Sequence, residues 1–195
     1  ILLMTAVFGV FVLAGCSEDD LKKTSAVLDS PTVENDFDRW LTKNYLEPYN
    51  IDFKYRFKDV LGDMDYNLTP ADYGQAIKLA KLTLHLTLQV YDEVTGNRQF
   101  ISENFPKIVH VIGSPAYNEN NNIVLGVAEG GKMMTLYQVN IIDYLLETKN
   151  IDQLNELFFK TMHHEFGHIL HQTRPYSTDF NAVTPSSYVG DACFD

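Results

Sequence analysis

The sequence predicts an α+β domain, with a small antiparallel or mixed sheet and one long helix toward its end. Three observations predict it. Apolar residues recur at helical spacing in the first half, β-branched runs separated by turn residues follow from Lys107, and a capped helical segment begins after Asn150.

Each element follows in order. Phe37, Trp40, Leu41 and Tyr45 recur at helical spacing, so a helix is expected near 36–46, ended by Pro48. Ile51 to Phe57 alternates apolar and polar residues and reads as a half-buried strand. Thr69-Pro70-Ala71-Asp72 opens a long helix to about Val94, closed by Gly96, with His85 read as a packed or surface residue. Ile108 to Ile112 is β-branched and stops at Gly113-Ser114-Pro115. Turn residues at 118–122 and at Gly130-Gly131 separate two further strands, Ile123 to Val127 and Met133 to Val139. Their succession predicts consecutive antiparallel pairing. Asn150 with Gln153 resembles a helix cap, and Leu154, Leu157, Phe158, Met162, Phe166 and Ile169 continue at helical spacing until Pro175.

The amino terminus reads differently. Residues 1–15 carry no charge and are too few to span a bilayer, which needs about 20, but they suit the apolar core of a signal peptide. Leu13-Ala14-Gly15-Cys16 resembles a bacterial lipobox, in which the cysteine is lipidated and becomes the first mature residue. Ser17-Glu18-Asp19-Asp20 follows and resembles an acidic signal for the outer face of an outer membrane. The expected organisation is therefore a truncated signal peptide at 1–15, lipidated Cys16 with an acidic tether at 16–35, and a domain at 36–195. If Cys16 is lipidated, Cys193 is left without an intrachain disulfide partner. The chain has 26 acidic and 15 basic side chains, a formal charge of −11, which argues against nucleic acid or anionic lipid as a partner.

The chemistry lies in His164-Glu165-Phe166-Gly167-His168. On a helix, His164 and His168 differ by roughly 40° and about 6 Å along the axis, so their imidazoles can share one tetrahedral Zn²⁺. Glu165 points about 100° from His164, beside the metal, where a general base takes a proton from attacking water. Phe158, Met162, Phe166 and Ile169 face the core and turn the ligand face toward a cleft. His163 has Gly167 one turn later and so has no helical partner.

His171 shares the azimuth of the two ligands but lies about 7.5 Å beyond a metal placed midway between them. A straight helix cannot bring all three to about 2 Å from one ion, so His171 is read as a residue that supports the ligands or faces substrate, with direct ligation the weaker alternative. A glycine three residues after the second ligand would break the helix before a third His. Here His171 takes that position, and Arg174 stands where the third His would be. Asp179, Asp191 and Asp195 are the downstream acids, and none falls in a clear helix, so a third ligand is expected beyond Asp195.

With these residues in view, the chain resembles the substrate import-associated zinc metallohydrolase lipoproteins. The resemblance rests on the lipobox at Cys16, Asp38-Arg39-Trp40-Leu41, Pro48-Tyr49-Asn50-Ile51 with Tyr55-Arg56, Pro106-Lys107 before Ile112-Gly113-Ser114, Leu125-Gly126 through Glu129-Gly130-Gly131, and His163 to Gln172. It implies a zincin-like domain whose carboxy-terminal part is missing, encoded beside outer-membrane nutrient importers. The expected activity is a surface zinc peptidase acting on peptide or glycopeptide, which binds an extended peptide along the strand at Ile123 to Val127. Tyr176 or Tyr188 is a candidate oxyanion stabiliser. The alternatives are a non-catalytic lipoprotein capturing peptide or glycan for an importer, and hydrolysis of another amide or ester.

Overall fold

The computed structural model describes residues 34–58, 61–62, 66–174 and 177–183. The expected signal segment, Cys16 and the tether up to residue 33 lie outside the described residues, as do Pro175, Tyr176, Tyr188, Asp191, Cys193 and Asp195.

Helix α1 runs from Asp36–Leu41 through a wide π turn at Thr42–Leu46 to Glu47–Tyr49. Pro48 does not end it. A proline in the first turn of its final segment is tolerated, and the helix stops where Asn50 turns left-handed. At its start Asn35 and Asp38 form a reciprocal capping box. The Asp38 carboxylate also accepts from Tyr55 (2.8 Å) and from both terminal nitrogens of Arg56 (2.8 and 2.6 Å). Burial alone would raise its pKa, but the hydrogen bonds from Arg56, the Asn35 backbone and Tyr55 together lower it. That knot fastens α1 to the chain just after β1, Asp52–Lys54. The strand expected over 51–57 is therefore shorter, because Tyr55 and Arg56 turn back toward the cap.

Helix α2 begins at Tyr73, capped by Asp72, runs over Tyr73–Thr83, a π turn at Leu84–Leu88 and Gln89–Thr95, and ends at left-handed Gly96. Two short helices were not foreseen: α3, Gln99–Asn104, and α4, Ile142–Glu147. The remaining strands are β2 Ile108–Val111, β3 Ala116–Tyr117, β4 Ile123–Val124, β5 Gly126–Glu129 and β6 Met133–Leu136.

The last two expected strands do pair antiparallel, but the strand at 108–112 does not pair with its successor. The main sheet has the order β1-β2-β6-β5, with β1, β2 and β6 mutually parallel and only β5 antiparallel to its neighbour. β3 and β4 pair separately across the turn at 118–122. The expected strand at 123–127 is thus two, divided at Leu125, whose carbonyl accepts from the Tyr137 amide. Gly113 ends β2 where no Cβ fits, since one would stand 2.1 Å from the Pro70 carbonyl oxygen and 2.4 Å from Asn140 Nδ2. Asn140 fastens that crossing by accepting from the Asp72 amide and donating to the Pro70 carbonyl.

The long helix α5 spans Ile151–Leu154, a π turn at Asn155–Lys160 and Thr161–Thr173, with Asn150 accepting from the Gln153 amide. A last helix, α6, covers Thr178–Val183. The inner face of the sheet, with Phe53, Val109, Val111, Met134 and Leu136, packs into one core with Leu79, Phe158, Met162 and Phe166. The outer face carries a smaller cluster of Ile112, Ala116 and Tyr137.

On that outer face His110 and Thr135 are register partners, both fully or nearly buried, and the Thr135 hydroxyl has no hydrogen-bond partner among the described residues. Among the described residues neither ring nitrogen of His110 meets the geometry of a hydrogen bond, although the nearby Leu61 backbone favours its charged form. Burial pushes the imidazole below its ordinary value of 6.5 despite it. The unfolded chain therefore takes up this proton first as pH falls, so stability drops from pH 6.5 downward. Urea unfolding across that range is expected to show a shallower acid slope in His110→Leu than in the parent chain. An unchanged slope would contradict the assignment.

Candidate metal centre

The site is built on α5 by its apolar stripe. Phe158, Met162 and Phe166 are fully buried and Ile169 nearly so. Phe166 sits inside an aromatic nest, with ring centroids 5.3 Å from Tyr91, 6.0 Å from Phe100 and 5.0 Å from Phe105. Removing such a ring costs about 3–5 kcal/mol in comparable cores, so the helix cannot readily roll about its axis. With Phe166 inward, its neighbours must face out: His164 and His168 are exposed and Glu165 is half-buried.

The two imidazoles converge. His164 Nε2 and His168 Nε2 lie 3.0 Å apart, and their rings stand at 89° with centroids 4.5 Å apart. Two zinc–nitrogen bonds of about 2.0–2.1 Å at a tetrahedral angle separate the nitrogens by about 3.3 Å. The pair therefore fits Zn²⁺ in both donor type and spacing. Among the described residues no group of three His, Cys, Asp or Glu side chains is placed to hold a metal, so neither His171 nor Asp179 joins the pair. Asp179 does lie in a helix, α6, contrary to expectation. Tyr176 and Tyr188, the oxyanion candidates, fall outside the described residues.

The other motif histidine has a different place. His163 Nδ1 is 3.0 Å from the Tyr91 hydroxyl, and burial lowers its pKa. It belongs to the α2–α5 contact. His85, exposed on α2, is bonded through Nδ1 to Gln89.

Strand β5 runs beside α5. Among the described residues only one of its edges is paired, with β6. A hollow of about 260 Å³ separates strand from helix, lined by Leu125, Gly126, Glu156, Lys160, His164 and Glu165 together with Thr161. Sequence reasoning marked this stretch as a peptide-binding strand but missed what lets it come close. A Cβ on Gly126 would stand 2.7 Å from Thr161 Cγ2 and 3.1 Å from the Thr135 carbonyl oxygen. The only advance signal was a glycine inside a strand pattern. The Thr161 hydroxyl itself donates to the Glu156 carbonyl at 3.1 Å.

Gly126→Ala should therefore overpack the seam and cost about 1–3 kcal/mol of stability in urea unfolding. Adding Thr161→Ser removes the clashing methyl and keeps the hydroxyl, so the double variant should recover much of the loss. Absence of any recovery would show that this contact does not set the strand–helix distance.

Comparison with known proteins agrees with this geometry. The family described as "Putative zinc-binding metallo-peptidase" matches residues 30–195. A crystal structure of a "putative zinc-binding metallo-peptidase" from Bacteroides caccae ATCC 43185 is 44% identical, with a TM-score of 0.61 over 78% of this chain. The match covers 56% of that longer chain, so this sequence spans little more than half its length. No curated protein matches. With that family's model matching residues 30–195, the chain belongs to the family.

Proposed function

We propose that the chain carries the metal-binding helix and substrate edge of a zinc-dependent peptidase, with His164 and His168 as ligands and Glu165 as general base. The observation that carries this reading is the 3.0 Å approach of the two Nε2 atoms with Glu165 on the side facing β5. Zinc, when bound, supplies Lewis acidity for hydrolysis of an amide. The protein's own groups do the rest. The open edge of β5 holds an extended peptide by backbone hydrogen bonds, as a further strand. Glu165 takes a proton from the attacking water on its carboxylate and returns it to the departing amine nitrogen. A catalytic zinc site takes three protein ligands, and the third is not among the described residues.

The retained Glu165 favours a hydrolase over a lipoprotein that merely captures peptide or glycan, since metal binding alone does not require it. The lipobox at Cys16 and the acids after it support attachment to the outer membrane, facing outward, and the family resemblance implies a place beside a nutrient importer. Among the described residues no helix is long and apolar enough to cross a membrane.

In the full natural protein, Glu165→Gln should retain zinc while losing at least about a hundredfold in peptide cleavage, the usual size of a general-base contribution. Zinc stoichiometry and turnover measured on the same preparation check it. Equal turnover would remove Glu165 from the reaction, and loss of zinc would give it a different role.

A further inference from the structure

The seam between β5 and α5 has a second end. Gly126 meets Thr161 at the first; at the other, a Cβ on Gly131 would lie 3.7 Å from Ile169 Cγ2. Beyond Ile169 a cleft of about 550 Å³ opens between the β5–β6 turn, the end of α3 and the last turn of α5. Lys107, Lys132 and Arg174 line it, with Gln172, Asn104 and Glu103. In a chain with 26 acids and 15 bases, three cations around one cleft stand out.

Arg174 differs from the other described arginines in having no acid partner among the described residues. Arg39, Arg56 and Arg98 are each paired with an aspartate. Among the described residues Arg174 and Lys132 form no ion pair, and Lys107 donates to the Ser102 carbonyl. Burial lowers the pKa of Lys107, against the pull of Glu103. Glu103 is the one acid lining the cleft, and it is engaged by the Gln99 side-chain amide. An unpaired guanidinium and ammonium, with the Gln172 amide beside them, present the donors that a carboxylate accepts in charge-assisted hydrogen bonds.

We propose that this cleft binds a carboxylate of the substrate, so that the peptidase selects acidic peptides. The inference rests on the peptidase reading above. From Phe166 to Gln172–Arg174 is about 9–12 Å along the helix, or roughly three residues of extended peptide. The carboxylate is an acidic side chain about three residues from the bond that is cut, or the free carboxy terminus of a short peptide.

The test uses the full natural protein carrying Glu165→Gln, so that binding is read without turnover. The probes are fluorescein-labelled alanine-based hexapeptides with one Glu moved along the chain, each with a free or amidated carboxy terminus. Fluorescence anisotropy should show a preference of about tenfold or more for one Glu position or for the free terminus, as a charge-assisted pair requires. Which probe wins identifies the carboxylate's source. Adding Arg174→Ala and Lys132→Ala should abolish the preference while zinc content stays the same. Equal binding of all probes, or a preference that survives both replacements, overturns the proposal. In the protein with Glu165 intact, the same replacements should raise KM for the preferred peptide and leave kcat unchanged. Selective binding without any cleavage would leave the carboxylate site standing and count against the peptidase reading instead.

Discussion

The burial of Phe166 is the constraint on which the rest depends. The motif's middle residue is not chemical at all; it is held among Tyr91, Phe100 and Phe105, rings delivered by α2 and the segment of α3. Because side chains on a helix are spaced by about 100°, fixing one azimuth fixes the others. The outward aim of His164 and His168 is thus a packing result, maintained by a hydrophobic core on the opposite side of the same turn. The π turn at Asn155–Lys160 extends that hold, since Leu157, Phe158 and Phe159 are all buried around it.

The sheet contributes in a different way. Of the three parallel strands β2 and β6 lie inside the sheet and β1 forms one edge, and the antiparallel β5 forms the other. β6 enters between β2 and β5, so the hairpin that the chain makes locally, β5–β6, places its first strand at the rim and its second in the interior. This puts a strand with a free edge next to the motif helix, and Gly126 lets the two touch. Helix and strand are separated in sequence but meet because both are tied to the same core.

What could be read in the sequence follows from which forces are local. The helical period of Phe158, Met162, Phe166 and Ile169 is written at short range, as are the caps at Asn150 and Asp72, and these elements stand as expected. Pro48 misled because its cost depends on which turn of the helix it occupies. The turn residues at 118–122 and Gly130-Gly131 do make hairpins, but the parallel partners of β2 were not legible because they are chosen by burial across the whole chain. In the candidate site the imidazole pair was legible from spacing alone. The cations of the distant cleft were not, because Lys107, Lys132 and Arg174 come from three separate elements and no pattern in the chain joins them.

The outer edge of β5, unpaired among the described residues, also bears on self-association. Unpaired strand edges invite self-association, and proteins usually blunt them with lysine, proline or a covering segment. β5 reads Gly126-Val127-Ala128-Glu129, with a single charge and no proline. Under the function proposed above, an edge that admits a peptide cannot be blocked without losing that use. Protection then falls to the surface as a whole. With a formal charge of −11, two copies repel as their edges approach.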